Sequence, residues 1–209
     1  SKNKIKTKIL QPLTGEKFKH LILAEKNASE SIKLKKTSLQ THQEALKKLQ
    51  NLLKLKDIPQ RIEVYDNSHI FGKESVGVMI VADRDGLSSK NYRKYNIRYN
   101  LDDKKQFKGD DYYMMKEVML RRFKTNKNSM IYPDVIIVDG GRGQFNIVEK
   151  ILALKKLNNI SIISIAKGKD RNSGREILHL KNKQVNLPLN DSLLFFIQRI
   201  RDEAHRFAV

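Results

Sequence analysis

Apolar and polar positions change their rhythm along the chain. From Glu16 to Leu55, apolar residues recur at helical spacing among lysines, first at Leu21, Leu23, Ile32 and Leu34, then at Leu46, Leu49, Leu52 and Leu53. This predicts helix, with Thr37 or Ser38 placed to cap a second part. After Pro59 the period shortens. "RIEVYDNSH" (61–69) and "SVGVMIVADRDG" (75–86) predict strands joined by a turn at Phe71-Gly72, and the alternating "NYRKYNIRYN" (91–100) predicts a third, so the three form an antiparallel meander. "GDDYYMMKEVMLRRF" (109–123) has acids in its first turn and arginines in its last, which suits a helix dipole. A continuous apolar strand follows at 134–139, then a helix at 143–157 and a second such strand, "ISIISIA" (160–166). Uninterrupted apolar strands alternating with helices predict parallel strands covered on both faces. A small hairpin is expected around Lys181–Lys183. A last helix is expected from Asn190 or Asp191 to about Phe207, with Leu193, Phe196, Ile197, Ile200, Ala204 and Phe207 as its apolar stripe.

The resulting order, β-β-β-α-β-α-β-hairpin-α, predicts an α/β fold with a mixed five-stranded sheet flanked by helices. By analogy of element order this is a ribonuclease H-like arrangement. Residues 1–58 are expected to form a basic helical lead-in and residues 59–209 the sheet domain.

The 209 residues are 39% hydrophobic and 31% charged, the balance of a soluble globular chain, and no apolar run reaches membrane-spanning length. There is no signal-peptide pattern, and because the first residue is Ser rather than Met, the chain is expected to be part of a longer protein. The net charge of +19 favours a polyanionic partner, nucleic acid ahead of a membrane surface; the plainer alternative is a lysine-rich solubilising surface. The absence of cysteine rules out disulfides and thiolate-ligated zinc and fits a reducing, cytoplasmic compartment.

Charge of the opposite sign draws attention to two positions. Val135 to Val138 run directly into Asp139 and the glycine-rich "GGRGQ", and Asp66 follows Ile62 and Val64 on one side of its strand. Asp139 reads either as a helix cap or as a charge at a strand end facing a cleft; Asp66 reads either as a turn residue or as its partner. If the two strands are neighbours, the carboxylates converge. A divalent cation, Mg²⁺ or Mn²⁺, would relieve their repulsion and could activate water at a phosphate. The glycine stretch fits neither a P-loop nor the dinucleotide fingerprint. On the last helix Gln198, Arg201 and His205 line up beside the apolar stripe, so His205 is either a half-buried packing residue or a metal ligand or proton-transfer group. Asp111 is a helix-dipole acid or a further acid of the cleft. Lys167, Lys169, Arg142, Arg121, Arg122 and Arg201 are candidate phosphate contacts, each with a solvated surface charge as the alternative.

The stretches "EVYDNSH", "GDDYYMMKEVMLRRF", "PDVIIVDGGRGQ", "IAKGKD" and "QRIRDEAHRFAV" occur in an order that resembles the C-terminal half of the UvrC family, the incision subunit of bacterial nucleotide excision repair. The resemblance covers about residues 61–209, and "GEKFKHLILAEKNASESI" (15–32) resembles the segment just upstream. It implies a ribonuclease H-like endonuclease domain that cuts 5′ to a lesion, with the catalytic set falling on Asp66, Asp139 and His205 and a further acid on Asp111. It also implies damaged duplex DNA as substrate and a UvrB-type partner. The segment that docks on that partner, a second nuclease domain and a helix-hairpin-helix tail are expected to lie outside this chain. The expectation is therefore a metal-dependent endonuclease domain. The alternatives are a non-catalytic nucleic-acid-binding module on a nuclease fold, or a nuclease of this fold acting on RNA or branched DNA.

Overall fold

The computed structural model describes residues 11–70, 74–97, 110–124, 131–166 and 176–209. The expected turn at Phe71-Gly72 and the end of the strand expected at 91–100 lie outside the described residues. The chain divides into two units, Ser1–Gln40 and Thr41–Val209.

The described part of the first unit is mostly helix, the beginning of α1 (Gly15–Leu53), and its side chains are largely exposed, Ile22, Leu23, Ile32 and Leu34 included. No cap interrupts α1 at Thr37 or Ser38. The Thr37 hydroxyl instead donates to the Lys33 carbonyl one turn back, within a helix that continues to Leu53.

The second unit is built on a mixed sheet of β1 (Ile62–Ile70), β2 (Glu74–Asp83), β3 (Gly86–Leu87), β4 (Arg93–Asn96), β5 (Val135–Asp139), β6 (Ser161–Ala166), β7 (Ile177–His179) and β8 (Gln184–Asn186). The order is β3-β2-β1-β5-β6-β7-β8, with β4 also on β2. Among the described residues the sheet therefore has eight strands rather than the expected five. The third strand of the meander is β4; an additional two-residue strand, β3, pairs with β2 ahead of a short 3-10 turn at Ser89–Asn91, and the β7–β8 hairpin joins the sheet through β6 instead of standing apart. β5 and β6 are parallel, as their unbroken apolar runs predict, and β1 joins them as a parallel partner of β5.

Alternation along the strands builds two cores. On one face Ile62, Val64, Val78, Ile137 and Ile163 pack with Ala45, Leu46 and Leu49 of α1 and with Leu193, Ile197, Ile200 and Ala204 of α4 (Ser192–Ala208). On the other, Tyr65, Met79, Ile136 and Val138 pack with α2 (Asp111–Arg122) and α3 (Arg142–Leu154) through Met115, Val118, Met119 and Val148. Each of the buried Val, Leu, Ile and Met side chains contributes about 1.5–3 kcal/mol of transfer free energy, so burying both faces fixes strand register firmly.

α2 is tied to β1 at both ends. Near its start, Asn67 Nδ2 donates to the Asp111 carbonyl at 3.1 Å. At its end, Arg122 makes a bidentate contact with the fully buried Glu63, at 2.7 and 3.0 Å. Arg61 and the Tyr65 hydroxyl complete the shell of Glu63 at 2.8 and 2.6 Å. Burial pushes the Tyr65 phenol well above its ordinary value, so it stays a donor.

Candidate active site

The parallel register of β1 and β5 runs from Ile62↔Val135 to Tyr65↔Val138. The next residues on the two strands are Asp66 and Asp139, which thus stand side by side just past the last paired positions. Both belong to the α4 face, because Ile62 and Val64 on β1 and Val135 and Ile137 on β5 lie in the core that α4 covers. Asp66 is not a turn residue: β1 continues, paired with β2, to Ile70↔Glu74. Nor is Asp139 the cap of the following helix, since that position belongs to Gly141. Neither the turn reading of Asp66 nor the cap reading of Asp139 matches this placement at the end of the β1–β5 pairing.

The electrostatics follow from this placement. Asp66 is buried, and loss of hydration pushes its carboxyl above the ordinary value. The charge of Asp139 pushes the same way, while His205 opposes both. His205 Nδ1 lies 3.4 Å from Asp66 Oδ2, with the imidazole largely exposed. The last helix therefore brings His205 to Asp66, with its ring outside the packing stripe.

One glycine in the turn after Asp139 and one in the first turn of α3 are tightly enclosed. Gly140 has φ of +157°, and a Cβ there would sit 2.7 Å from Gln144 Cδ. A Cβ on Gly143 would sit 2.6 Å from the Tyr112 hydroxyl, so the first turns of α2 and α3 meet through this glycine. At the start of α2, Asp110 does the capping, accepting from Tyr112 N at 2.8 Å and Tyr113 N at 3.3 Å. Asp111 opens the helix beside it, its carbonyl held by Asn67 next to Asp66.

The cations are less available than the sequence suggests. Arg122 is corrected outright: it is buried against Glu63 and the Ile131 carbonyl and has no face for a phosphate. Arg121 bonds the Asn96 carbonyl at 2.7 Å and Glu117 at 3.2 Å. Arg142 holds the Leu180 and Lys181 carbonyls of the β7–β8 turn and lies over the Phe145 ring. Arg201 pairs with Glu176 at 3.0 Å. Lys167 and Lys169 lie outside the described residues.

Sequence reasoning passed over Glu176. It is buried just before β7 and accepts from Gln198 as well as Arg201, so Gln198, Arg201 and His205 all reach the sheet from one edge of α4. The signal was a single acid ahead of a three-residue strand, too short for its burial to be read from periodicity. Asn67 was passed over because a polar residue beside an acid resembles a turn until β1 is seen to continue.

The model of the UvrC RNAse H endonuclease domain matches residues 50–209. UvrABC system protein C of Zymomonas mobilis is 44% identical over 216 residues, which cover 100% of this chain and 32% of that protein. The corresponding protein of Rhodopseudomonas palustris strain BisB18 is 42% identical, over 98% of this chain and 31% of its own length. The chain thus spans about a third of the length of the curated relatives it matches. Among solved structures, human ENDOV aligns with 60% of this chain and 50% of its own at 15% identity and a TM-score of 0.36. With a sheet flanked by helices and a family match that runs from the end of α1 to the last residue, the chain belongs to the UvrC RNase H endonuclease domain family.

Proposed function

We propose that this chain is a divalent-metal-dependent DNA endonuclease domain that makes the incision 5′ to a lesion in nucleotide excision repair. The observation that carries this reading is the side-by-side placement of Asp66 and Asp139 on neighbouring parallel strands, with His205 3.4 Å from Asp66. Two carboxylates on one face, one raised in part by the charge of the other, form a hard-oxygen donor set suited to Mg²⁺ or Mn²⁺. Among the described residues no group of three His, Cys, Asp or Glu is placed to hold a metal ion, so the proposed donor set is the two carboxylates, with water and a phosphate oxygen to complete it. When bound, the cation would offset the carboxylate repulsion, activate water and steady charge on the phosphate.

The chain's own residues have distinct parts. Asp66 and Asp139 hold the cation. His205, with Nδ1 toward Asp66 and the rest of its ring in solvent, transfers a proton at Nε2 to or from the phosphodiester. Asp111, at the first turn of α2, is a further acid at the rim. Phosphate contacts, not base readout, hold the strand. Damaged duplex DNA is the substrate, and a UvrB-type protein is the partner, engaged through a segment outside this chain. No helix among the described residues is long and apolar enough to cross a membrane. On this reading the protein acts on DNA in the cytoplasm.

The test is Mn²⁺ binding and lesion-duplex incision by wild type and Asp139→Asn. Loss of both in the variant, with DNA binding retained, supports the reading. Mn²⁺ binding unchanged in the variant, with DNA bound but no incision by either protein, overturns it in favour of a non-catalytic DNA-binding module.

A further inference from the structure

Strand register carries the active-site row beyond the two acids. Asp66 pairs with Val78 across β1 and β2, and Val78 pairs with Lys94 across β2 and β4. Asp139 continues the row on the other side of Asp66. Asp139, Asp66, Val78 and Lys94 thus follow one another across four strands, and residues opposite one another in a ladder point to the same face. The packing agrees: Val78 lies in the core under α4, and Lys94 Nζ stands 5.1 Å from the centroid of the Phe207 ring of α4. Tyr92 packs edge-on against the same ring at 5.1 Å. Two residues before Phe207, His205 reaches Asp66. The end of α4 therefore presents an imidazole to the acids and an aromatic seat to the ammonium.

We propose that Lys94 binds a backbone phosphate of the DNA strand whose neighbouring phosphodiester lies at Asp66 and Asp139. This rests on the endonuclease reading and adds to it a residue that positions the substrate. Lys94 is exposed, and among the described residues it makes no ion pair, whereas Arg121, Arg122, Arg142 and Arg201 are all engaged with protein partners. Two strand spacings of about 4.8 Å put it about 10 Å from Asp66. At about 3.4 Å of rise per nucleotide, that is within roughly three nucleotides of the reacting phosphate. A compact ammonium with rotatable donors suits a contact that fixes position and reads no base.

The experiment measures the affinity of the chain for a labelled oligonucleotide duplex as a function of salt, beside Mn²⁺ binding in the absence of DNA. Lys94→Ala is compared with Lys94→Met, whose stem still covers Phe207, and with Lys94→Arg. In both uncharged variants the slope of log affinity against log salt should fall by about 0.9, or one released counterion, so that about 3-fold less affinity is lost between about 50 and 200 mM salt. Mn²⁺ binding should stay unchanged, and Lys94→Arg should keep the wild-type slope. An unchanged slope in Lys94→Ala and Lys94→Met, with Mn²⁺ still bound, overturns the role of Lys94 and leaves the endonuclease reading standing. Wild-type protein that binds neither DNA nor Mn²⁺ overturns both.

Discussion

His205 Nδ1 lies 3.4 Å from Asp66 Oδ2, and the two groups differ sharply in exposure: the imidazole is 70% accessible and the carboxylate 9%. A histidine that served packing would be buried with its helix stripe; this one reaches past the stripe to the acid. His205→Ala should lower lesion-duplex incision by about 10²–10⁴-fold, the usual range for a positioned proton-transfer group. Because the side chain is largely in solvent, stability should move by no more than about 0.5 kcal/mol. Single-turnover cleavage and thermal melts on the same preparations check this. A large loss of stability with proportionate loss of activity would mark His205 as a structural residue instead.

Asp66 links the site to pH. Its carboxyl is raised first by burial and then by the charge of Asp139, with His205 opposing. A group raised in the folded state binds its proton more tightly folded than unfolded. It thus favours folding fully below the ordinary carboxylate range, and that contribution is lost as pH rises through the folded value. At neutral pH the ionised pair is a net cost. Asp66→Asn should therefore raise the melting temperature at neutral pH and leave it nearly unchanged below the ordinary carboxylate range. Saturating Mn²⁺ should stabilise wild type, by about 2.7 kcal/mol at a hundred times Kd, and should have little effect on Asp66→Asn. Melting curves across pH, with and without Mn²⁺, decide it. A variant less stable than wild type at neutral pH would show that Asp66 is held by contacts that outweigh its burial.

Gly143 is where α2 and α3 touch, and a methyl group there would occupy the space of the Tyr112 ring. Gly143→Ala should destabilise the protein by about 1–3 kcal/mol, the usual cost of overpacking, and reduce incision by shifting the turn that follows Asp139. Tyr112 is exposed over most of its other side, so Tyr112→Ala alone should cost little. The double variant should recover most of the stability lost in Gly143→Ala. Urea denaturation of the four proteins measures the coupling. Additive losses would mean that the glycine is required for some other reason than the tyrosine.

The elements legible in the sequence were those whose burial is continuous or strictly periodic. Val135 to Val138 and "ISIISIA" announced β5 and β6, and the stripe from Leu193 to Phe207 announced α4, because each buries a whole face or both faces. β3 was not legible as a strand of its own, since a two-residue strand ahead of a 3-10 turn leaves no period to follow. The sequence placed Asp66 and Asp139 at strand ends but left open what each did; only register makes them neighbours. Lys94 was invisible for the same reason. It is one lysine among many until Val78 ties it to Asp66 across two ladders. Arg122 misled because first-turn acids and last-turn arginines look alike whether they face solvent or, as here, a buried carboxylate.

That carboxylate, Glu63, sets the last prediction. It is fully buried on β1 and is met by Arg122 through two nitrogens, by Arg61 and by the Tyr65 hydroxyl. Removing one partner of a buried pair leaves a charge that water cannot reach, a cost of about 3–5 kcal/mol. Arg61 remains beside Glu63 in Arg122→Met, so the loss should fall near the lower end of that range. Glu63→Gln combined with Arg122→Met removes both charges and should recover a large part of the stability. None of this concerns phosphates, because the guanidinium faces the core. The salt slope of DNA binding by Arg122→Met, measured below its melting point, should match wild type. A slope reduced by about 0.9, with little loss of stability, would instead return Arg122 to the DNA-contacting set and remove the clamp that holds α2 against the strand of Asp66.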